Sequence, residues 1–382
     1  MSDLTLVGRV LTAGRELPRS LVRAVNGRIV SVEPSDAAAP PGALDAGSGW
    51  IAPGLIDAQI NGAFGQDFSD PAADLEVAAR GILAHGVTAF LPTLVTLPWE
   101  RYPAAMANLA RHPAEGATSL GIHLEGPFLS PRHYGAHPPE HLRPPLSADL
   151  ERLLELGEVR LVTLAPELEG GLDAVRSLAR RGVVVSLGHS GATFDHGRVA
   201  LLSGARAGTH LFNAMPPLHH RDPGLAGALL ADAKAVVGII ADGVHVHPSM
   251  LRLAWRTREP GGLMLVTDAI GAMGMPPGSY PLGERQVRTT RREARLPDGT
   301  LAGSMLTLDT AVRTMVQQAG CSPAHAVSMA TDAPARLLGI HHERGQVAPG
   351  QHADLLVIGP DLRVRWTLQA GRIVFAAEDR AG

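Results

Sequence analysis

The chain has 382 residues, of which 45% are hydrophobic and 19% are charged, and its formal net charge is −3. This content suffices for a barrel of about 250 residues with a smaller attached domain, and it excludes an intrinsically disordered chain. The pI near 6.6 and the lack of a basic run argue against nucleic acid or a membrane surface as a partner.

Both ends of the chain are predicted to form short strands joined by turns. The first end contains LTLVGRVLTA and LVRAVNGRIVSVEP, with Asn26-Gly27 as a hairpin signal. The last end contains DLLVIGP and RVRWTLQAGRIVFAA. We therefore expect one small β-sandwich domain assembled from residues 1–50 and 345–382. Two unrelated strand pairs that decorate the core are the alternative.

Residues 51–344 alternate short apolar runs with segments of helical spacing. Segments such as LEVAARGILAHG and GLDAVRSLARRG have helical spacing and end in glycine. The eight apolar runs are GLIDAQI, VTAFLPTLV, SLGIHLEGP, RLVTLAPE, VVVSLGHS, GTHLF, AVVGIIADG and LMLVTDA. This alternation predicts a (β/α)8 TIM-type barrel, in which an active site lies at the carboxyl ends of the strands.

Two amides follow the first run at positions where metal hydrolases commonly carry histidines. A strand that ends in Pro-Gly-x-Ile-Asp often continues into His-x-His, whereas this chain has Gln59 and Asn61 there. Amides are poor ligands for a transition metal beside neutral imidazole. The stretch therefore leaves two readings open, a lost metal or a metal held elsewhere.

Four reactive side chains stand at the ends of other apolar runs. Glu125 ends the third run, His189 the fifth, His210 the sixth and Asp268 the eighth. One carboxylate and two imidazoles leave a position open for water, as in a hydrolytic zinc site. Asp268 has no evident basic partner in the sequence and suits a general base. Each residue alone has an ordinary structural reading, so the prediction rests on the four together.

The only lysine limits the kind of metal site. Many barrel hydrolases hold two metals bridged by a carboxylated lysine after the fourth strand. The fourth run ends in TLAPE and Lys234 precedes the seventh, so this bridge is excluded. With Gln59 and Asn61 in place of the first histidine pair, one metal is favoured over two. For His123, a structural role is favoured over assistance to a second ion.

Cysteine usage indicates the compartment. The single cysteine, Cys321, excludes a disulfide within the chain and a multi-cysteine zinc site. No stretch approaches the roughly 18 apolar residues of a membrane-spanning helix. The opening MSDLTLVGRV lacks the layout of a signal peptide. We therefore expect a cytoplasmic protein.

Several long stretches resemble, in the same order, the N-acetylglucosamine-6-phosphate deacetylases of the amidohydrolase superfamily. They are PGLIDAQINGAFG, GIHLEGPFLSPRHYGAH, SLGHSGAT, GTHLFNAMPPLHHRDPGLAG, ADGVHVHP, VTDAIGAMG, LAGSMLTLDTAV and APARLLG. The resemblance implies hydrolysis of N-acetylglucosamine 6-phosphate to glucosamine 6-phosphate and acetate. Gln59-x-Asn61 matches the variant of the single-metal members, which implies one divalent ion per subunit and a vacant second-metal position.

The resemblance also implies a role for each matched residue. The implied metal ligands are Glu125, His189 and His210, the implied general base and acid is Asp268, and the group that polarises the acetamide carbonyl is His137. The implied substrate contacts are Ala136, Asn213, Ala214, Arg221, His245, Ala302, Gly303 and Ser304. In a homodimer, Arg221 would reach the phosphate from the neighbouring subunit. One glutamate and two histidines suit Zn²⁺ best, while Fe²⁺, Mn²⁺ or Co²⁺ can use the same set.

Two other functions remain open from the sequence. One is a deacetylase of another N-acetyl amino-sugar phosphate, such as the galacto isomer, which would use the same metal set. The other is a metal-free barrel with a structural or interaction role. The loss of the first histidine pair favours this second alternative, and the presence of Glu125, His189, His210 and Asp268 together argues against it.

Overall fold

The structure is a computed structural model that describes residues 3–258 and 261–378. In chain order its strands are β1 (Asp3–Thr12), β2 (Arg15–Val25), β3 (Arg28–Pro34), β4 (Leu44–Pro53), β5 (Leu55–Ile60), β6 (Gly62–Ala63), β7 (Gln66–Asp67), β8 (Val87–Leu94), β9 (Thr118–Ser119), β10 (Ile122–Glu125), β11 (Val159–Leu164), β12 (Val184–Leu187), β13 (Ala207–Gly208), β14 (Val236–Ile239), β15 (Leu263–Leu265), β16 (Ser279–Leu282), β17 (Arg285–Thr289), β18 (Ala294–Arg295), β19 (Leu355–Ile358), β20 (Val364–Gln369) and β21 (Arg372–Ala376). Its α-helices are α1 (Leu75–Ile82), α2 (Tyr102–Leu109), α3 (Ser147–Glu155), α4 (Gly171–Arg180), α5 (Phe194–Leu202), α6 (Gly224–Ala231), α7 (Pro248–Thr257), α8 (Leu308–Gln317), α9 (Pro323–Met329) and α10 (Asp332–Leu337). Short 3-10 helices cover Leu83–His85, Trp99–Arg101 and Pro139–His141.

The two ends of the chain share one seven-stranded sheet, in the order β21-β20-β19-β4-β1-β2-β3. Asn26 and Gly27, between β2 and β3, both have positive φ, as a two-residue type I′ hairpin turn requires. The Ile29 N–H donates to the Gln351 carbonyl at 2.9 Å, which ties β3 to the segment before β19. The predicted β-domain built from both termini is therefore confirmed. Its predicted limits, residues 1–50 and 345–382, stay predictions.

Eight parallel strands form the barrel, in the order β5-β8-β10-β11-β12-β13-β14-β15. Six of them lie within an apolar run, β11 begins one residue before its run, and β13 shares only Gly208 with the run GTHLF. The predicted (β/α)8 fold is confirmed. All residues of β5, β8, β10 and β12 are buried, which explains why these strands are mostly apolar and do not alternate between apolar and exposed polar residues.

The barrel nearly closes between its first and last strands. The Asp268 N–H donates to the Gln59 carbonyl at 2.9 Å, and the Asn61 N–H donates to the Ala269 carbonyl at 2.7 Å. These bonds bring the segment after β15 against the end of β5. The two amides of the sequence motif and the carboxylate of the eighth run consequently become neighbours.

The helices pack against the barrel through their apolar faces, and capping residues mark where they begin. In α4, Ala174, Val175 and Leu178 are buried, which is the spacing of one helical face. Helix α1 begins at an Asp74 cap, whose side chain accepts hydrogen bonds from the backbone N–H groups of Glu76 and Val77. These contacts fix the helices around the strands that carry the site.

A small antiparallel sheet, β16-β17-β18, is inserted after the eighth barrel strand. Its Leu282 and Val287 pack with Ile270 and Ala302 in a separate apolar cluster. This insertion was not predicted, and it places residues of β16 and β18 beside the barrel mouth.

None of the helices within residues 3–258 and 261–378 is long and apolar enough to cross a membrane.

Candidate active site

The four reactive side chains predicted from the run ends meet at the carboxyl ends of the barrel strands. Glu125 is the last residue of β10, while His189, His210 and Asp268 follow β12, β13 and β15 closely. All four are buried. The last three have positive φ, 48°, 29° and 50°. Such backbone conformations cost roughly 1–3 kcal/mol each and persist only where the surroundings hold them, which is common at functional sites.

Three of these side chains form a group able to hold a metal ion. Glu125 Oε1 lies 3.1 Å from His210 Nε2 and 3.3 Å from His189 Nε2, and the two Nε2 atoms are 3.0 Å apart. A tetrahedral Zn²⁺ with bonds of about 2.0–2.2 Å spaces neighbouring ligand atoms by about 3.3 Å. The donor set and its spacing therefore fit a divalent metal closely.

The hydrogen bonds around the cluster orient its side chains so that their lone pairs can bind a cation. His189 Nδ1 lies 2.9 Å from the His133 carbonyl, so Nδ1 carries the proton and Nε2 presents its lone pair. Burial alone would raise the pKa of Glu125, but the neighbouring imidazoles of His189 and His210 hold that pKa well below its usual range. The two imidazole Nε2 atoms lie 3.0 Å apart beside the buried carboxylate. Such an arrangement is stable only with a proton or a cation among the three groups.

The two amides after β5 donate hydrogen bonds to the carboxylates. Gln59 Nε2 donates to Glu125 Oε1 at 2.8 Å and to Asp268 Oδ1 at 3.2 Å. Asn61 Nδ2 donates to the same Asp268 oxygen at 2.7 Å. The predicted vacancy of a second metal position stays a prediction, and N–H donors facing this space are consistent with it because they disfavour a cation there.

Asp268 has the properties of a proton carrier. Burial and the nearby negative charge of Glu125 raise its pKa to about 6. A group with a pKa near the working pH can accept a proton in one step and release it in the next. Behind it, Thr267 Oγ1 donates to Asp57 Oδ2 at 2.6 Å, which anchors the backbone beside the carboxylate.

His137 is held as a neutral hydrogen-bond donor. The Thr96 N–H donates to His137 Nδ1 at 3.2 Å, and the Thr96 hydroxyl lies 2.9 Å from the same nitrogen. Because a backbone N–H can only donate, Nδ1 is an acceptor and the ring proton is on Nε2. Burial and His189 lower the pKa of His137 to about 3, so the ring is uncharged at neutral pH. Its Nε2 lies 3.9 Å from Glu125 Oε2.

These groups face one cavity of about 360 Å³, a size typical of small-molecule sites. The predicted site residues that line it are Asn61, Glu125, Ala136, His137, His189, His210, Asn213, Ala214, His245, Asp268 and Gly303. His245 Nδ1 is paired with Asp242 Oδ2 at 2.7 Å. Burial would raise the pKa of Asp242, but the contact with His245 lowers it, so Asp242 orients this ring as an anion.

Three predicted substrate contacts lie outside the cavity lining. Arg221 is exposed, and its guanidinium lies 2.9 Å from His220 Nε2. Ala302 is buried in the apolar cluster under the inserted sheet. Ser304 donates from Oγ to the Thr267 carbonyl at 2.6 Å and so supports the turn that carries Asp268. Their contacts with a substrate stay predictions.

Several functional candidates were missed by the sequence analysis. Thr96 and Asp242 orient two cavity histidines. Among the cavity-lining residues of the described chain, Arg295 is the only arginine or lysine. Arg295 comes from β18 and donates to Glu293 Oε2 at 2.7 Å. A hydrogen-bonding residue such as Thr96 has no motif of its own, although Asp242 stands in the motif ADGVH.

Comparisons with known proteins agree with this geometry. The model of the Amidohydrolase family matches residues 50–380. The chain is 45% identical over 341 residues to N-acetylglucosamine-6-phosphate deacetylase from Danio rerio, covering 85% of this chain and 84% of that protein. It is 38% identical over 371 residues to N-acetylgalactosamine-6-phosphate deacetylase from Escherichia coli O157:H7, covering 96% and 97%.

A solved structure is similar over nearly the whole length. It is a mutant N-acetyl-D-glucosamine-6-phosphate deacetylase from Mycobacterium smegmatis in complex with N-acetyl-D-glucosamine-6-phosphate. The TM-score is 0.93 at 37% identity, with 98% of this chain and 100% of that chain covered. The chain therefore belongs to the amidohydrolase family of metal-dependent hydrolases.

Proposed function

We propose that this chain hydrolyses N-acetylglucosamine 6-phosphate to glucosamine 6-phosphate and acetate. One observation carries the proposal: the cluster of Glu125, His189 and His210, which could hold a metal ion, faces the same cavity as His137 and Asp268. The 45% identity to a deacetylase and the likeness to a structure that holds this sugar phosphate support the substrate.

The residues divide the reaction between them. A divalent ion on Glu125, His189 and His210 would lower the pKa of water to about 7 and so supply hydroxide at neutral pH. His137 Nε2–H donates to the acetyl oxygen, where negative charge develops in the transition state. Asp268 accepts the proton of the attacking water and passes it to the nitrogen as the C–N bond breaks. Without that proton, the nitrogen would be a very poor leaving group.

We propose one Zn²⁺ per subunit, with Fe²⁺, Mn²⁺ or Co²⁺ as alternatives. The mixed oxygen and nitrogen donor set suits all four ions. The N–H groups of Gln59 and Asn61, which point at Glu125 and Asp268, support a single ion.

We propose that donors from two copies of the chain bind the phosphate of the substrate. A phosphate needs charged or polar donors, and the cavity offers Asn213, His245 and Arg295. Arg221 is exposed on its own chain and would serve the cavity of a second copy in a homodimer. Ala136, Ala214, Ala302, Gly303 and Ser304 would contact the sugar or its phosphate through their backbone or side chains.

The proposed compartment is the cytoplasm. The single cysteine, Cys321, supports it, because a chain with one cysteine has no internal disulfide, as is usual for proteins of a reducing compartment.

Acetate release tests the proposed activity directly. We expect the purified protein to release acetate from N-acetylglucosamine 6-phosphate much faster than from unphosphorylated N-acetylglucosamine. Chelation should abolish the release, and added Zn²⁺ should restore it. Equal rates on both sugars would contradict phosphate recognition, and activity that survives complete removal of metal would contradict the mechanism.

The galacto isomer is the second candidate substrate. The 38% identity to an N-acetylgalactosamine-6-phosphate deacetylase over 96% of this chain favours it specifically. The same assay with both isomers decides between them. A higher kcat/KM on the galacto isomer would replace the proposed substrate and leave the metal chemistry unchanged.

Replacing Thr96 with valine is expected to lower kcat by roughly 2- to 10-fold, with little change in KM, because one neutral hydrogen bond to His137 is lost. The Thr96 backbone N–H remains, which limits the loss. Serine at this position keeps the hydroxyl and should restore kcat. The two variants are compared by steady-state kinetics at equal metal content. Equal kcat values for valine and serine would contradict the role of the hydroxyl.

A further inference from the structure

We propose that Asn61 is a further catalytic residue, whose amide oxygen accepts a hydrogen bond from the N–H of the scissile amide. Its amide nitrogen at the same time holds the carboxylate of Asp268. This inference rests on the proposed deacetylation and assigns a task to a position so far explained only by the absence of a metal ligand.

The hydrogen bonds fix which end of the Asn61 amide faces Asp268. Asp268 Oδ1 is 2.7 Å from Asn61 Nδ2 and also accepts from Gln59 Nε2 at 3.2 Å. An ionised carboxylate oxygen can only accept hydrogen bonds, so the Asn61 amide must face it with its nitrogen, as the Gln59 amide does. The Asn61 oxygen therefore points elsewhere.

That oxygen is buried and has no partner among residues 3–258 and 261–378. Asn61 itself is only 2% exposed and lines the cavity. Buried acceptors are almost always paired, so an unpaired one calls for a partner such as an ordered water or a group of the substrate. The other unpaired buried side-chain atom among the cavity-lining residues is His210 Nδ1. That ring contacts Glu125 through its other nitrogen, Nε2.

The chemistry of the reaction indicates the partner. Asp268 must deliver its proton to the amide nitrogen, so this nitrogen has to come within hydrogen-bonding distance of Asp268. Asn61 contacts Asp268 directly and is therefore next to the same nitrogen. The nitrogen carries an N–H that loses its water on entering the cavity and needs an acceptor.

Asn61 exchanges no proton in this scheme. The C–N bond breaks, the proton from Asp268 goes to the nitrogen, and the original N–H stays on the amine throughout. The Asn61 oxygen accepts that N–H before and after cleavage. It thereby orients the lone pair that forms on nitrogen towards Asp268.

A pair of substrates isolates this hydrogen bond. N-acetylglucosamine 6-phosphate has the N–H, whereas 2-O-acetylglucose 6-phosphate has an ester oxygen in its place. For each enzyme, kcat/KM is measured on both, corrected for spontaneous ester hydrolysis, and expressed as the amide-to-ester ratio. Loss of support for Asp268 lowers both rates, and the amide rate more, because an amine needs its proton to leave more than an alcohol does. Loss of the acceptor lowers only the amide rate, so a control variant must measure the first effect alone.

Asn61→Ala is expected to lower the amide-to-ester ratio roughly tenfold, the effect of one hydrogen bond. Gln59→Ala is the matched control, because it also removes a donor to Asp268 but Gln59 does not line the cavity. Its ratio should fall much less than that of Asn61→Ala, and an equal fall in both variants would overturn the inference. Asn61→Asp keeps an acceptor oxygen and the volume, so it should keep the ratio while its charge beside Asp268 lowers both rates.

Metal content is measured for every variant, and Asn61→Leu, which keeps the volume, replaces the alanine variant if that one does not fold. An unchanged ratio in Asn61→Ala or Asn61→Leu, at full metal content, overturns the inference and leaves the proposed function intact. Failure of the unaltered protein to hydrolyse either substrate overturns the proposed function and, with it, this inference.

Discussion

Replacing Asp268 with asparagine is expected to lower kcat roughly 10²- to 10⁴-fold without loss of bound metal, because proton transfer by a positioned group contributes about that much. Asp268 is not one of the three clustered metal-ligand candidates. Asparagine keeps the shape of the side chain, and its oxygen can still accept from Asn61 Nδ2. It cannot, however, take the proton of water or return it to nitrogen. Acetate release and metal per chain, measured on the same sample, test this.

Asp242→Asn is the matched control for this experiment. Asp242 is also a buried carboxylate near the cavity, but it contacts His245 rather than the metal group. Because it only orients a ring, its variant should mainly raise KM and reduce kcat by a few-fold at most. An Asp268→Asn variant that turned over as fast as Asp242→Asn would contradict the role of Asp268 as the proton carrier.

The barrel could be predicted because its strands are buried on both faces. Such strands read as largely apolar runs, and each of the eight runs overlaps a barrel strand in the structure. The position of the reactive residues followed from the same signal, since the carboxyl ends of parallel strands share one mouth. Glu125, His189 and His210 were therefore brought together correctly from three separate parts of the chain.

The inserted sheet β16-β18 could not be predicted in the same way. Its strands have only two to five residues, and only four of these eleven residues are buried, so neither an apolar run nor a strict alternation marks them. Arg295, which reaches the cavity from β18, was missed for this reason. Thr96 was missed for a different reason: it lies 41 residues from His137, and only the folded chain joins them.

The two amides after β5 show where residue type alone is insufficient. The sequence identified Gln59 and Asn61 as poor metal ligands, which describes what they do not do. An amide has a donor end and an acceptor end, and only coordinates show that the donor ends face Glu125 and Asp268. The proposed contact of Arg221 with a second subunit stays a prediction, because the fold of one chain does not show it.

Replacing Glu125 with glutamine is expected to remove the bound metal and, with it, essentially all activity. The carboxylate lies within 3.1–3.3 Å of both ligand nitrogens, and a neutral amide is a much weaker ligand than the carboxylate it replaces. The side chain keeps its volume, and its oxygen can still accept from Gln59 Nε2, so the barrel should fold. Metal per chain after dialysis and the melting temperature with and without added Zn²⁺ are the measurements.

Metal bound only to the folded state adds about 2.7 kcal/mol of stability when its concentration is 100 times Kd. The unaltered protein should therefore melt at a higher temperature with Zn²⁺, and Glu125→Gln should not respond. Glu167→Gln is the matched control, since Glu167 accepts from Ser190 Oγ at 2.7 Å next to His189 but is outside the three-ligand group. It should keep both the metal and the thermal response. If Glu125→Gln retained both the metal and the thermal response, Glu125 would not be a metal ligand.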